Sequence, residues 1–476
     1  MLTRLKISGF KSLFDVDVRF GPFTCIAGAN GSGKSNFFDA IQFLSFLADG
    51  TLIESAHSVR DHKNKETGIH TLFHVKSNDT ISFEADMITP KSATDDLGQK
   101  AEAISTFLTY KLVLKYAKDD ENPKPLKIVK EELTRANKSK HLKFPHRAPA
   151  WEESVYFASK RMVPFISTTT DKNQFVIKLH QDGGSRGRPQ KILAEFLPRT
   201  VLSTVDAANP TALAARREMQ SWRLLQLEPS KLREPDRFHA EPAIQLDGSG
   251  LSRTLYHQAH FQNKGNPDRI YESVSQRMRE LIDDITSVKV DKDETRQRYH
   301  IMAVNRDGET LPARSLSDGT LRFLALSTIE IDPDAEGVIC LEEPENGIHP
   351  KRIPAILRLL QDIAVDAELK VDRDNPLRQV IVNTHSPVVV AQIPEDTLLV
   401  ASLKKNIEGG KPFYHTHFNW LSDTWRSEID PDTRALSLGD LIQLLDPVPA
   451  DDECDEPKKK SKRTIDRSDV QLSLFG

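Results

Sequence analysis

Cysteine is scarce in this chain. Cys25, Cys340 and Cys454 are the three present among 476 residues, and they share no metal-ligand spacing. That excludes a disulfide framework and points to a reducing, cytoplasmic compartment. Cys25 and Cys340 lie in apolar runs and read as small buried residues. Long apolar runs are also missing. No stretch of about 18 apolar residues occurs, so no membrane-spanning helix is expected. The first strand-like run, residues 2–10, contains Arg4 and Lys6 and has no signal-peptide core. Charge of one sign is not in excess. The formal net charge is −4, so the whole molecule is not a basic nucleic-acid binder, and any DNA contact must come from a local patch. Sustained heptads are absent, which excludes a long coiled coil, and no internal repeat is apparent.

What remains is a polar but globular composition. Hydrophobic residues make up 38% and charged residues 28%, enough to bury a core in a chain of this length. Length alone suggests two or three domains. Short apolar-polar alternations over Ile7, Val16, Val18 and Phe20 read as strands, and Phe23 to Ala27 as a short apolar strand. Phe37, Ala40, Ile41, Leu44 and Leu47 then recur at helical spacing. Residues 81–88 and 107–116 alternate and are expected to pair. The middle holds strand-like runs at 125–130 and 174–180, a Gly-rich turn at 183–187 and a helix over 211–222. A second helix is expected over 268–286, followed by a hairpin turning at Arg306-Asp307-Gly308. Strand–helix alternation returns over 311–402 and predicts a parallel sheet. The last segment, 446–476, runs from acidic to basic to apolar and reads as a disordered tail.

The chemistry starts at Gly28-Ala29-Asn30-Gly31-Ser32-Gly33-Lys34-Ser35, which matches G-x-x-x-x-G-K-[ST] at every fixed position. It follows a strand and opens a helix, the context this motif needs. Glycines let backbone N–H groups turn inward around phosphate oxygens, and the helix N-terminus adds partial positive charge. Asn30, Gly31, Ser32, Gly33, Lys34, Ser35 and Asn36 are therefore the expected ATP contacts. Lys34 would reach the β- and γ-phosphates, and Ser35 would place its hydroxyl on Mg²⁺.

A second carboxylate-bearing strand is needed, and Val338-Ile339-Cys340-Leu341-Glu342-Glu343 supplies it. Ligands of open α/β sheets bind at the C-terminal ends of strands, where these two glutamates sit. Neighbouring strand residues face opposite ways, so the two can take different roles. Glu342 would hold Mg²⁺ or its waters, and Glu343 would deprotonate the attacking water. The rival reading, an acid-rich helix start, loses ground once the phosphate loop is present.

Three further stretches carry a family resemblance. Ser315-Leu316-Ser317-Asp318-Gly319-Thr320 precedes an apolar helix and resembles the ABC signature loop. Pro344 to Pro350 follows the carboxylates where a D-loop would be. Asn383-Thr384-His385-Ser386-Pro387 follows an apolar strand and resembles the switch-histidine segment. With the opening Ile7 to Leu13, the order resembles the SMC/RecF-like family of ABC-type, AAA-type bacterial ATPases, related to the ATPase domain of OLD-type proteins. Two positions depart from the pattern. Glu342 stands where ABC ATPases usually carry Asp, and Asp318 and Thr320 replace the usual Gly and Gln. No Q-loop glutamine is assigned.

The resemblance implies an α/β fold, an ABC/SMC-head-like P-loop ATPase with a mixed or parallel sheet. It divides the chain into a first core half over 1–95, an inserted α+β arm lobe over 96–267, a second core half over 268–445 and the tail. It also implies ATP sandwiched between two head-to-tail copies, with Ser317 and the Gly319 amide reaching the γ-phosphate from across the interface and His385 sensing it. Work on DNA in repair or antiphage defence is implied, with a partner such as a nuclease, because no Toprim domain fits after residue 402. Alternatives are an ATP-dependent scaffold with little turnover and a transporter nucleotide-binding subunit.

Two stretches suggest other contacts. Between Lys124 and Arg147 lie eight basic residues (124, 127, 130, 135, 138, 140, 143 and 147) against two acids, either a DNA-backbone patch or a solvated hairpin. Gln471, Leu472, Leu474 and Phe475 resemble the short peptide by which bacterial repair proteins dock on the sliding clamp.

Overall fold

The strand Phe23–Ala27 is buried along its whole length, and so is Arg378–Thr384 beside it. Such strands must have covered faces on both sides, which is the condition of a parallel sheet. The computed structural model shows that sheet. It describes residues 1–59, 68–117, 125–138, 142–159, 163–172, 174–182, 189–262, 266–408, 411–430, 435–436 and 439–441. Its six strands run in the order Arg223–Leu225, Gly337–Glu342, Arg378–Thr384, Phe23–Ala27, Leu398–Glu408 and Lys411–Asn419. The first five are parallel, and the last pairs antiparallel with its neighbour.

Side chains of this sheet alternate between two cores. Ile26, Val338, Cys340 and Ile381 point into one; Cys25, Ile339, Leu341, Val380 and Val382 point into the other. The first core is closed by the helix Lys34–Leu47, which buries Phe37, Ile41 and Leu44, and by an eight-stranded antiparallel sheet. The second is closed by the helices Pro267–Leu281, Asp318–Glu330 and Ile353–Ile363. Among the described residues, Cys25 and Cys340 are free and buried in strands of the six-stranded sheet, and burial pushes each thiol up out of the reactive range.

The antiparallel sheet joins distant sequence. Its order is Gln190–Leu193, Gln174–Leu179, Ile166–Asp171, Leu126–Arg135, Phe107–Tyr116, Thr80–Ile88, Leu2–Ser8 and Val16–Arg19. The expected pairing of 81–88 with 107–116 is present in register Phe83↔Leu112. Residues 96–267, expected as an arm lobe, contribute five of these strands, and their short strand Arg223–Leu225 edges the nucleotide sheet. Met1–Leu445 fold as one unit. The helix expected over 268–286 ends at Leu281, because Ile285–Asp293 leaves it to pair with Arg298–Asn305. Arg298–Asn305 and Thr310–Pro312 form the expected hairpin around Gly308. Among the described residues, no helix is long and apolar enough to cross a membrane. The turn at 183–187, Lys124, Lys140 and the tail with its Gln471–Phe475 peptide lie outside the described residues.

Candidate nucleotide site

The helix Lys34–Leu47 begins at Gly33, which has φ +94 and places no side chain over the helix N-terminus. Its first N–H groups therefore stay open to an anion. Gly33 is also required sterically. A Cβ there would lie 1.9 Å from Thr416 Oγ1 and 2.7 Å from Ser12 Oγ. Those two hydroxyls are 2.7 Å apart, and Asn36 Nδ2 donates to Ser12 Oγ at 2.8 Å. The loop is thus clamped between the N-terminal turn and the hairpin strand Lys411–Asn419. Lys34 is buried and folds back, donating to the carbonyls of Gly28 at 2.6 Å and Ala29 at 2.9 Å. Burial lowers its pKa, and Glu343, Glu342 and Glu345 oppose that shift. A cation left in such a place suits a ligand that brings negative charge.

Glu342 ends the strand Gly337–Glu342, yet this strand does not touch Phe23–Ala27. Arg378–Thr384 lies between them. The gap is closed by side chains: Ser35 Oγ donates to Glu342 Oε1 at 2.6 Å, and Asn383 Nδ2 donates to the same oxygen at 3.2 Å. A hydroxyl and a carboxylate facing each other are hard oxygen donors of the kind Mg²⁺ takes. Among the described residues, no cluster of three or more His, Cys, Asp or Glu is placed to hold a metal.

Glu343 diverges from Glu342 for a different reason than strand alternation. It lies past the strand end with φ +45, a left-handed conformation that costs a non-glycine residue energy. Its N–H donates to the Asn383 carbonyl at 3.0 Å and reaches Asn383 Oδ1 at 3.1 Å, which holds the turn. Its carboxylate is then gripped at both oxygens: His385 Nδ1 lies 2.7 Å from Oε1, and Asn346 Nδ2 donates to Oε2 at 2.6 Å. Glu345, two residues on, is buried and accepts from Thr384 Oγ1, and burial raises its carboxyl pKa.

One cavity of about 450 Å³ is lined by Asn30, Gly31, Gly33, Lys34, Ser35, Asn36, Glu342, Glu343, Asn346 and Asn383, while His385 does not line it and touches it only through Glu343. Asn346 and Asn383 were not assigned roles from sequence, although both stand inside the quoted motifs. Asn346 grips Glu343 from three residues on, and Asn383 reaches Glu342 and Glu343 from the adjacent strand, contacts that depend on the turn at Glu343 and on strand order, which spacing does not reveal. Ser32 is buried and does not line the cavity. Ser317 and Gly319 do not line it either. Ser317 is exposed and caps the helix Asp318–Glu330, accepting from Thr320 N at 3.3 Å. Gly319 packs on the D-loop-like segment, where a Cβ would lie 2.7 Å from the Gly347 carbonyl. Asp318 is drawn aside by Arg233.

A family profile described as "AAA domain, putative AbiEii toxin, Type IV TA system" matches residues 23–391. The chain is 35% identical over 84 residues to "DNA replication and repair protein RecF" from two strains of Porphyromonas gingivalis. That match covers 17% of this chain and 23% of the relatives' length. Among solved structures, the SMC head domain from Thermotoga maritima is similar at TM-score 0.37 and 12% identity, covering 88% of this chain and 99% of that one. An Smc head domain derived from Pyrococcus furiosus, with an extended coiled coil and bound to the C-terminal domain of ScpA, is similar at TM-score 0.39 and 13% identity, over 87% and 96%. Both structural likenesses are distant.

Proposed function

The chain belongs to the AAA-domain family of SMC/RecF-like P-loop ATPases, and we propose that it binds ATP with Mg²⁺, hydrolyses it, and uses the cycle to join and release two copies acting on DNA. The observation that carries this reading is the convergence of Lys34, Ser35, Glu342 and Glu343 on one cavity. Two separate chain segments supply them, and Asn383 from a third lines the same cavity.

The residues divide the work by position. The open N–H groups after Gly33 and the Lys34 ammonium receive the phosphates. Ser35 and Glu342 are the pair that would hold Mg²⁺, which supplies charge neutralisation across the β- and γ-phosphates. Glu343 takes the proton of the attacking water, whose oxygen bonds the γ-phosphorus as the bond to the ADP oxygen breaks. His385 and Asn346 keep the carboxylate aimed while it does so. Exposed Ser317 and its helix N-terminus stand away from this cavity, which suits an action on the site of a second copy. DNA repair or antiphage defence with a partner effector is the setting that the family suggests.

Phosphate release by the purified chain tests the reading. ATP-dependent, Mg²⁺-dependent release that vanishes in Lys34→Ala supports it. Tight ATP binding with no release in wild type would favour a scaffold instead.

A further inference from the structure

Four basic side chains from residues 135–147 meet in one open concavity: Arg135, Lys138, Lys143 and Arg147, with Tyr156 beside them. We infer that this concavity is a binding site for the phosphodiester backbone of nucleic acid, resting on the reading above that the ATPase acts on DNA.

The fold separates these residues from the rest of the basic stretch. Lys127 and Lys130 sit on the strand Leu126–Arg135 and are each matched by a carboxylate, Glu195 at 3.3 Å and Glu132 at 3.1 Å. In the concavity, the Glu152 carboxylate is shared by two cations, Lys138 at 2.5 Å and Arg147 at 3.1 Å. Arg135 donates to the Ser159 carbonyl at 2.6 Å, a neutral partner, and Lys143 is exposed. Positive charge therefore remains in excess around the concavity.

Two of the cations are also held in place by aromatic rings. The Lys138 ammonium lies 4.8 Å from the Tyr156 ring centre, and the Arg147 guanidinium 5.0 Å from that of Phe144. Phe144 packs edge-on against the buried Trp151, which roots this surface in the core. Rotamer freedom of these side chains is largely lost on folding, so binding an anion costs less ordering entropy. Each of these hydrogen bonds uses one donor, while an arginine has five and a lysine three. Donors are left for phosphate oxygens. The concavity is open and spread out, which suits an extended polyanion better than a single nucleotide.

The test is fluorescence anisotropy of a labelled DNA duplex and a labelled single strand with the full chain, between about 50 and 200 mM salt. Lys138→Ala and Lys143→Ala together should weaken binding to all sequences alike. They should reduce the slope of log affinity against log salt by about 1.8 for duplex, since each phosphate contact contributes roughly 0.9. Lys127→Ala with Lys130→Ala removes the same charge from matched pairs and should leave both readouts near wild type. Lys143→Glu alone, at an exposed position, keeps the test valid if the double variant folds poorly. Equal losses in the two double variants, or no loss in either, would overturn the site while DNA binding itself stands. Wild-type chain that binds no DNA, or binds only anionic lipid vesicles, would overturn the site and the DNA reading together. DNA-independent phosphate release is measured alongside and reports on the ATPase reading separately.

Discussion

His385 Nδ1 lies 2.7 Å from Glu343 Oε1, joining the residues that follow two neighbouring parallel strands. Asn346 holds the other carboxylate oxygen. A base gripped at both oxygens is fixed in direction before water arrives, which is what general-base catalysis requires of geometry.

Glu343→Gln should keep ATP binding and lose turnover by about 10²–10⁴-fold, because the amide fits the same grip but takes no proton. His385→Ala should lower turnover less and leave binding unchanged. Phosphate release and binding of a fluorescent ATP analogue separate the two. Wild-type rates in Glu343→Gln would move the base elsewhere.

Gly33→Ala should abolish nucleotide binding and lower stability. The left-handed backbone costs an L-residue roughly 1–2 kcal/mol, and the new Cβ would meet Thr416 Oγ1 at 1.9 Å. Adding Thr416→Ala should restore part of the melting temperature but not binding, because the strained φ stays. A Gly33→Ala protein that melts and binds like wild type would show that the clamp is not tight.

Ser317→Arg should leave ATP binding by the single copy intact and block the ATP-dependent dimer. The side chain is exposed and caps a helix, so a long cation there meets the facing surface rather than its own core. Light scattering in the Glu343→Gln background with ATP is the measurement. An unchanged dimer would rule out a sandwich built on this loop.

Glu131 ties two sequence regions together inside the first core. It accepts from the backbone N–H of Val201 and of Leu202, both at 2.8 Å, and from the Tyr110 hydroxyl at 3.2 Å. Glu131→Gln turns an amide N–H₂ toward one of those donors, and should cost about 1–3 kcal/mol, read from chemical denaturation. An unchanged midpoint would mean that the tie contributes nothing.

The same carboxyl predicts a pH dependence. Burial pushes its pKa up to about 7, against an ordinary value of 4.5. The folded state keeps this proton where the unfolded chain has lost it. Its contribution to stability is therefore full below about pH 4.5 and is lost as pH rises toward 7. Denaturation midpoints of wild type and Glu131→Gln across that window should converge as pH rises. Parallel curves would remove Glu131 as the titrating group.

By itself the sequence determined the phosphate loop, both carboxylates, the histidine segment and the strand–helix order that carries them. These are local signals. A glycine pattern, an apolar run ending in acid and a helical repeat each specify backbone shape within a few residues. Tertiary structure decided the rest. Which strand lies between Phe23–Ala27 and Gly337–Glu342 is a matter of sheet order, and that order makes Asn383 the link between Glu342, which Ser35 also holds, and Glu343. The opposed directions of Glu342 and Glu343 come from a left-handed turn at a non-glycine residue, for which no sequence rule exists. Residues 96–267 read as an insertion because their alternation does not say which sheet they join; Phe107–Tyr116 pairs with Thr80–Ile88, and Arg223–Leu225 pairs with Gly337–Glu342 more than one hundred residues away. Basic residues evenly spaced in sequence became two groups because the strand sends Lys127 and Lys130 to carboxylate partners while its last residue, Arg135, and the segment after it line one concavity. Periodicity reports which side of an element is apolar; only packing reports what that side meets.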